Sequence, residues 1–126
     1  MRKFFNTAGL CFPGDHYMVD PVKRLTDVEK LIDDKLYFTL HAPRQTGKTT
    51  YLHALARKLN SEKKHTALVV SFEQAGYETI TMEKANELLI NCVYWASQHQ
   101  LPENERPANP EDKTFPNLHR YLAKWA

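Results

Sequence analysis

The chain has 126 residues, of which 42% are hydrophobic, 25% charged and 11% aromatic, which excludes a disordered or collagen-like chain. The formal net charge is only +2, so nucleic acid is not indicated as a partner. Two distant cysteines exclude a disulfide framework. No apolar stretch approaches the ~20 residues that span a bilayer, and Asn6, Thr7 and Gly9 interrupt the apolar start before it becomes a signal sequence. We therefore expect a cytoplasmic protein with no membrane partner.

The chain begins with an arm and a helix. Residues 1–19 contain several turn-forming residues and are predicted as an irregular N-terminal arm. Asp20 followed by Pro21 is typical of a helix start, because the aspartate caps the helix and proline lacks an N–H that would have no partner there. Apolar residues then recur every three or four positions, which predicts a helix to about Asp33.

A strand, a loop, a helix and a second strand follow. The runs 36–40 and 67–72 are short, apolar and β-prone, and they are predicted as buried strands. Between them a helix is predicted from about Lys48 to Leu59, because its apolar residues form one stripe. This order of elements predicts an α/β fold, with helices flanking a parallel sheet.

The rest of the chain is predicted as a helix, a loop and a last helix. The helices cover about 82–98 and 118–125, and Asn117 is placed to cap the second. Four prolines make 101–116 a loop. Since an average sheet has ~5–6 strands, two predicted strands imply a sheet that is incomplete in this chain.

The loop between the first strand and its helix fits the phosphate-binding P-loop pattern, with Ala42 in place of the usual first glycine. Gly47 lets the backbone approach a phosphate closely. Lys48, the predicted catalytic residue, would reach the β- and γ-phosphates, and the Thr49 hydroxyl would ligate Mg²⁺. The helix dipole favours the same anion. The predicted nucleotide-binding residues of the loop are Ala42, Pro43, Arg44, Gln45, Thr46, Gly47, Lys48, Thr49 and Thr50. The alternative is a basic turn that caps a helix.

The segment from His41 to Thr50 resembles the phosphate loop of bacterial AAA-like ATP-binding proteins, relatives of the STAND and origin-recognition-type AAA+ ATPases. The arm from Asn6 to Gly9, followed by residues 16–18, also resembles theirs, and the likeness covers about residues 4–75. The resemblance implies a P-loop NTPase fold and binding of ATP with Mg²⁺. It also implies that Tyr17 and Met18 contact the adenine base, whereas the alternative for these two residues is ordinary packing.

The resemblance also shows what the chain lacks. Such ATPases have a Walker B strand that ends in an acidic residue, and the one candidate here ends at Glu73. That strand directly follows the P-loop helix, which is not the Walker B position in the group, so Glu73 is interpreted as a strand-end carboxylate. We therefore expect residues 20–126 to be the N-terminal part of a P-loop ATPase domain, with Walker B and later strands missing. ATP hydrolysis is then expected of a longer protein and not of this chain alone.

Two other functions remain open. A P-loop kinase would phosphorylate a small molecule, but such enzymes usually begin with the P-loop strand, and here 35 residues precede it. A switch module would bind nucleotide without turnover. The histidines show no pair at metal-ligand spacing, so zinc is not predicted. Protein partners cannot be predicted.

Overall fold

The structure, a computed structural model, describes residues 2–7, 11–12, 14–25, 27–44, 46–73, 81–111 and 115–126. In these ranges the α-helices are α1 (Asp27–Asp33), α2 (Lys48–Glu62), α3 (Met82–Gln100) and α4 (Leu118–Trp125). Two single-turn 3₁₀ helices cover Val22–Arg24 and Glu103–Glu105. The chain forms two compact units, Met1–His65 and Thr66–Ala126. No helix in the described ranges is long and apolar enough to cross a bilayer.

The predicted α/β fold is wrong. Among the described residues there is no strand and no sheet, and the regular elements are helical, so this is not a P-loop NTPase sheet. A strand forms only when its backbone groups pair with a neighbouring strand. No backbone hydrogen bond joins residues 37–40 to any other described segment, and Tyr37 is fully exposed. A β-prone sequence without a partner thus stays irregular.

The second predicted strand, 67–72, is bonded to a side chain. At the end of α3, Nε2 of Gln100 donates to the carbonyl of Val69 at 2.7 Å, and Oε1 of Gln100 accepts from the N–H of Val69 at 3.0 Å. One side-chain amide therefore makes the two bonds that a neighbouring strand would make to one residue.

The first unit packs short elements against α2. The predicted helix after Asp20 is broken at Leu25, where φ is −133° and ψ is 70°, into the turn Val22–Arg24 and α1. Val22–Arg24 contacts α2, whose buried residues lie along one face. Lys58 on α2 forms an ion pair with Glu29 on α1. The buried residues of α2 are Tyr51, Leu55, Ala56 and Leu59.

The second unit packs α3 against α4. Its core consists of Ile90, Val93 and Tyr121, against which Leu68 and Val70 are packed. The phenol of Tyr121 donates to the carbonyl of Ala108 at 2.9 Å, and burial raises the pKa of Tyr121 to about 12.

Both α-helices of this unit, α3 and α4, have a side-chain cap at their N-terminus. Thr81 Oγ1 accepts from the N–H of Lys84 at 3.4 Å, and Asn117 Oδ1 accepts from the N–H of Arg120 at 3.0 Å. The prediction of a last helix that is capped by Asn117 is confirmed.

Candidate functional site

The predicted phosphate loop leads directly into the N-terminus of α2. Gly47 has a φ of 85°, in the left-handed region that glycine adopts without strain, and α2 begins at the next residue. No side chain of the described residues caps this helix. The first N–H groups of a helix have no partner within the helix, so this end of α2 can accept an anion.

Lys48 is folded back across the loop. Its Nζ donates to the carbonyl of Ala42 at 2.5 Å and to the carbonyl of Pro43 at 2.6 Å. The hydroxyl of Thr46 donates to the same Pro43 carbonyl at 2.8 Å. These contacts close the loop into a compact turn and hold the ammonium group against its inner carbonyls. A phosphate would offer that ammonium a full negative charge, which is a stronger partner than a neutral carbonyl.

A cavity of about 420 Å³ lies beside the loop, which is the size of many small-molecule sites. Its walls include both groups of residues that the sequence predicts as nucleotide contacts. The loop and α2 contribute Ala42, Thr46, Gly47, Lys48 and Thr50, and the arm contributes Tyr17 and Met18. The sequence predicts that these two groups contact opposite ends of one ligand. In the structure, residues of both groups line one cavity.

Three predicted contacts of the loop have other positions. Pro43, Arg44 and Thr49 are exposed and do not line this cavity. Gln45 lies outside the described residues. The loop therefore reaches the cavity with residues at its two ends and with the first turn of α2.

The arm is held in place by His16, which is buried. Nδ1 of His16 accepts from the N–H of Phe12 at 2.9 Å. Phe4 and His16 form a parallel bridge, in which Phe4 donates to Asp15 at 3.1 Å and accepts from Tyr17 at 3.1 Å. The predicted irregular arm thus contains one ordered bridge, and that bridge fixes the backbone of Tyr17 next to the cavity.

The side chain of Tyr17 remains accessible. It is 56% exposed, and its ring lies 5.0 Å from that of Phe5. Together with Leu25 and Leu40 it gives the cavity an apolar side. An exposed aromatic face beside an apolar wall is a surface on which a flat heterocycle can stack.

The sequence prediction missed Tyr51 as a wall of the cavity. Tyr51 is only 5% exposed, and its buried hydroxyl has no hydrogen-bond partner among the described residues. Burial, and to a smaller extent the charge of Glu29, raises the pKa of Tyr51, while Lys58 opposes the shift. Tyr51 follows Lys48 by three positions and so lies on the same side of α2. This three-residue spacing from Lys48 is the feature of the sequence that could have indicated Tyr51 as a site residue.

The described residues do not form a protein-held metal site. None of the residues that line the cavity is acidic, and no group of three His, Cys, Asp or Glu side chains clusters in the described ranges. Mg²⁺ prefers oxygen ligands and is commonly bound through one or two carboxylates together with substrate phosphates. The side-chain oxygens of the residues described as lining this cavity belong to hydroxyl groups, so the phosphates of a ligand would have to supply most of the coordination.

Glu73, the weaker Walker B candidate, is an exposed residue of the second unit. Its backbone N–H lies 3.5 Å from the hydroxyl of Ser71.

No model of a protein family, no curated protein and no solved structure matches this chain.

Proposed function

We propose that the first unit binds ATP together with Mg²⁺. The triphosphate lies against the loop 42–49 and the N-terminus of α2, and the adenine base lies against Tyr17 and Met18. One observation supports the proposal, namely that several predicted phosphate contacts and both predicted base contacts line a single cavity: Ala42, Thr46, Gly47, Lys48 and Thr50 with Tyr17 and Met18.

The phosphate half of the proposal rests on the start of α2. Gly47 leaves this helix end without a side-chain cap, and Lys48 supplies a cation at the same place. A helix N-terminus and a lysine together form a favourable environment for phosphate. When the ligand binds, Nζ of Lys48 donates to phosphate oxygens instead of to the carbonyls of Ala42 and Pro43.

The base half rests on the composition of the cavity. Tyr17 offers an exposed ring, and Leu25 and Leu40 offer apolar surface. Stacking of a base on an aromatic side chain contributes about 1–3 kcal/mol. Mg²⁺ would be held mainly by the triphosphate, because Thr49, the predicted metal ligand, is exposed and does not line the cavity.

A switch that binds nucleotide without turnover is the second candidate, and the cavity favours it. Hydrolysis needs a group that orients the attacking water, and no carboxylate lines this cavity in the described part of the chain. Lys48 can stabilise charge on the phosphates, but by itself it cannot activate water. A relationship to the AAA-like ATPases remains a proposal that rests on the resemblance of the loop.

Calorimetry of the whole chain with ATP in the presence of Mg²⁺ tests the proposal. We expect Lys48→Ala to weaken binding at least about tenfold, because a charge-assisted hydrogen bond contributes ~1.5–3 kcal/mol and a tenfold change in affinity corresponds to about 1.4 kcal/mol. Lys124→Ala is the matched control, since Lys124 is an exposed lysine of α4 in the second unit.

Equal affinities of the wild type and Lys48→Ala would contradict the proposal, as would the absence of any binding heat. Repeating the titration with EDTA measures how much of the affinity depends on the metal.

A further inference from the structure

The hydroxyl of Tyr51 is buried without a partner. Tyr51 is only 5% exposed, and no described residue makes a hydrogen bond to its hydroxyl. A buried donor without a partner destabilises a fold, and phenylalanine would fill the same space without that cost. A ligand that accepts a hydrogen bond from this hydroxyl would remove the cost.

The position of Tyr51 on α2 places its side chain beside the predicted phosphate loop. Its backbone N–H donates to the carbonyl of Gly47 at 2.8 Å, so Tyr51 lies in the first turn of the helix. Tyr51 and Lys48 are three residues apart, share one side of α2 and both line the cavity. Side chains of a helix lean towards its N-terminus, so the phenol extends towards the helix end that is proposed to receive phosphate.

The chemistry of the cavity suits a hydrogen-bond donor that meets an anion. The lining residues in the described part of the chain include no carboxylate that the phenol could bind. Burial raises the pKa of Tyr51, so its hydroxyl stays protonated at neutral pH and acts as a donor. A polyphosphate carries several acceptor oxygens and can bind this donor in addition to Lys48 and the N–H groups of the helix end.

We propose that Tyr51 is a specificity-determining residue of this site, whose hydroxyl donates a hydrogen bond to a phosphate oxygen of the bound nucleotide. This role rests on the proposed function, and it adds a side chain that the phosphate-loop pattern does not contain. The phenol turns from its buried position towards the phosphates, so its hydroxyl gains a partner only in the complex. Tyr51 therefore selects for the polyphosphate part of the ligand and not for the base.

Titration of the whole chain with ATP and Mg²⁺ tests this role. We expect Tyr51→Phe to weaken binding about two- to tenfold, the range that corresponds to one net hydrogen bond, without lowering the melting temperature. Inorganic tripolyphosphate, used to displace ATP, should lose affinity by the same factor because it carries phosphates without a base. Tyr37→Phe is the matched control and should bind as the wild type does, since Tyr37 is a fully exposed tyrosine of the same unit and does not line the cavity.

Lys48→Ala separates a failure of this role from a failure of the proposed function. If Lys48→Ala weakens binding of ATP and Tyr51→Phe does not, the nucleotide site stands and the role of Tyr51 is overturned. If Tyr51→Phe weakens binding of ATP but not of tripolyphosphate, the hydroxyl contacts the base or the ribose, and the assignment to phosphate is overturned. A wild type that binds no ATP overturns both.

Carbon-13 NMR of the native chain gives a second measurement, which does not depend on the folding of a variant. In a sample with labelled tyrosine, the assigned Cζ signal of Tyr51 should shift when ATP and Mg²⁺ are added, because this carbon carries the hydroxyl that gains an acceptor. The Cζ signal of Tyr37 should stay where it is. An unchanged Tyr51 signal at saturating ATP would overturn the role of Tyr51.

Discussion

Among the described residues, each unit buries one tyrosine on a helix, and the hydroxyl groups of these two tyrosines have different surroundings. In the second unit the phenol of Tyr121 donates to Ala108, and the residue is packed with Ile90 and Val93. In the first unit the hydroxyl of Tyr51 is buried with no partner among the described residues, and Tyr51 lines a cavity. Unpaired buried groups and open cavities lower stability, and they are common where a protein binds something. The buried phenol of the second unit is paired, whereas that of the first is left without a described partner beside the predicted phosphate loop.

The starts of the helices show the same contrast. The N-cap residues of α3 and α4 are Thr81 and Asn117, whose side chains cap these helices. The N-cap residue of α2 is Gly47, where no described side chain forms a cap. Glycine at the N-cap position lowers stability by only roughly a few tenths of a kcal/mol relative to a capping side chain, so the first unit keeps this helix end open to an anion with little loss of stability.

Removal of the two hydroxyl groups is the strongest test of this contrast. Tyr121→Phe should lower the free energy of unfolding by about 0.5–1.5 kcal/mol, because it removes the hydrogen bond from the buried phenol to the carbonyl of Ala108. Tyr51→Phe should be neutral or slightly stabilising, because the hydroxyl it removes has no described partner. Denaturant titration of both variants measures the difference. A loss of stability in Tyr51→Phe as large as that in Tyr121→Phe would show that Tyr51 has a partner after all.

A pair of glycine substitutions gives an effect of similar size. Gly47→Ala should lower the free energy of unfolding by about 1–2 kcal/mol, because φ at Gly47 is 85° and a residue with a Cβ is strained in that conformation. An added Cβ meets no atom within 4 Å at either Gly47 or Gly14, so steric crowding is not the cause. Gly14→Ala is therefore the matched control, and thermal melting should detect little change in it. Equal melting temperatures for the two variants would contradict a left-handed Gly47.

The two units should also differ in how their stability depends on pH. Because the pKa of Tyr121 is raised to about 12, the unfolded chain loses this proton before the folded chain does, and stability should fall as the pH rises from about 10 towards 12. Hydrogen bonds from Lys64 and then His65 lower the pKa of Asp33, so their stabilising effect is present at neutral pH and is lost as the pH falls through the lowered value. Asp33 is exposed, so this acid effect should be small.

Single-residue variants show which unit causes the loss of stability at acid pH and which causes the loss at alkaline pH. Asp33→Asn should reduce the acid limb alone, and Tyr121→Phe should reduce the alkaline limb alone. Unfolding measured across the pH range checks both, and an alkaline limb that survives in Tyr121→Phe would contradict the assignment.

The sequence predicted the long helices more accurately than the rest of the fold. Periodic apolar residues and local caps define a helix within its own sequence, as at Asn117, and the bounds of α2, α3 and α4 agree to within a few residues. Strand pairing depends on residues far along the chain. The runs 36–40 and 67–72 have the composition of strands, but nothing local could show that their backbone partners are missing.

The candidate site could be predicted only in part. The phosphate loop has a fixed spacing that can be read locally, and the resemblance added Tyr17 and Met18. Tyr51 could not be assigned in the same way, because burial and the lack of a partner are properties of the folded unit. Whether these residues bind ATP remains a prediction.

The amide of Gln100 has a consequence for how this sequence can vary. A sheet is held by backbone groups that nearly every residue carries, so its pairing survives most substitutions. The bonds to Val69 come from a single side chain, and Gln100→Glu would remove the donor while keeping the length. Related sequences that keep segment 67–72 in this position should therefore keep glutamine at position 100, and those that lose it should change the segment as well.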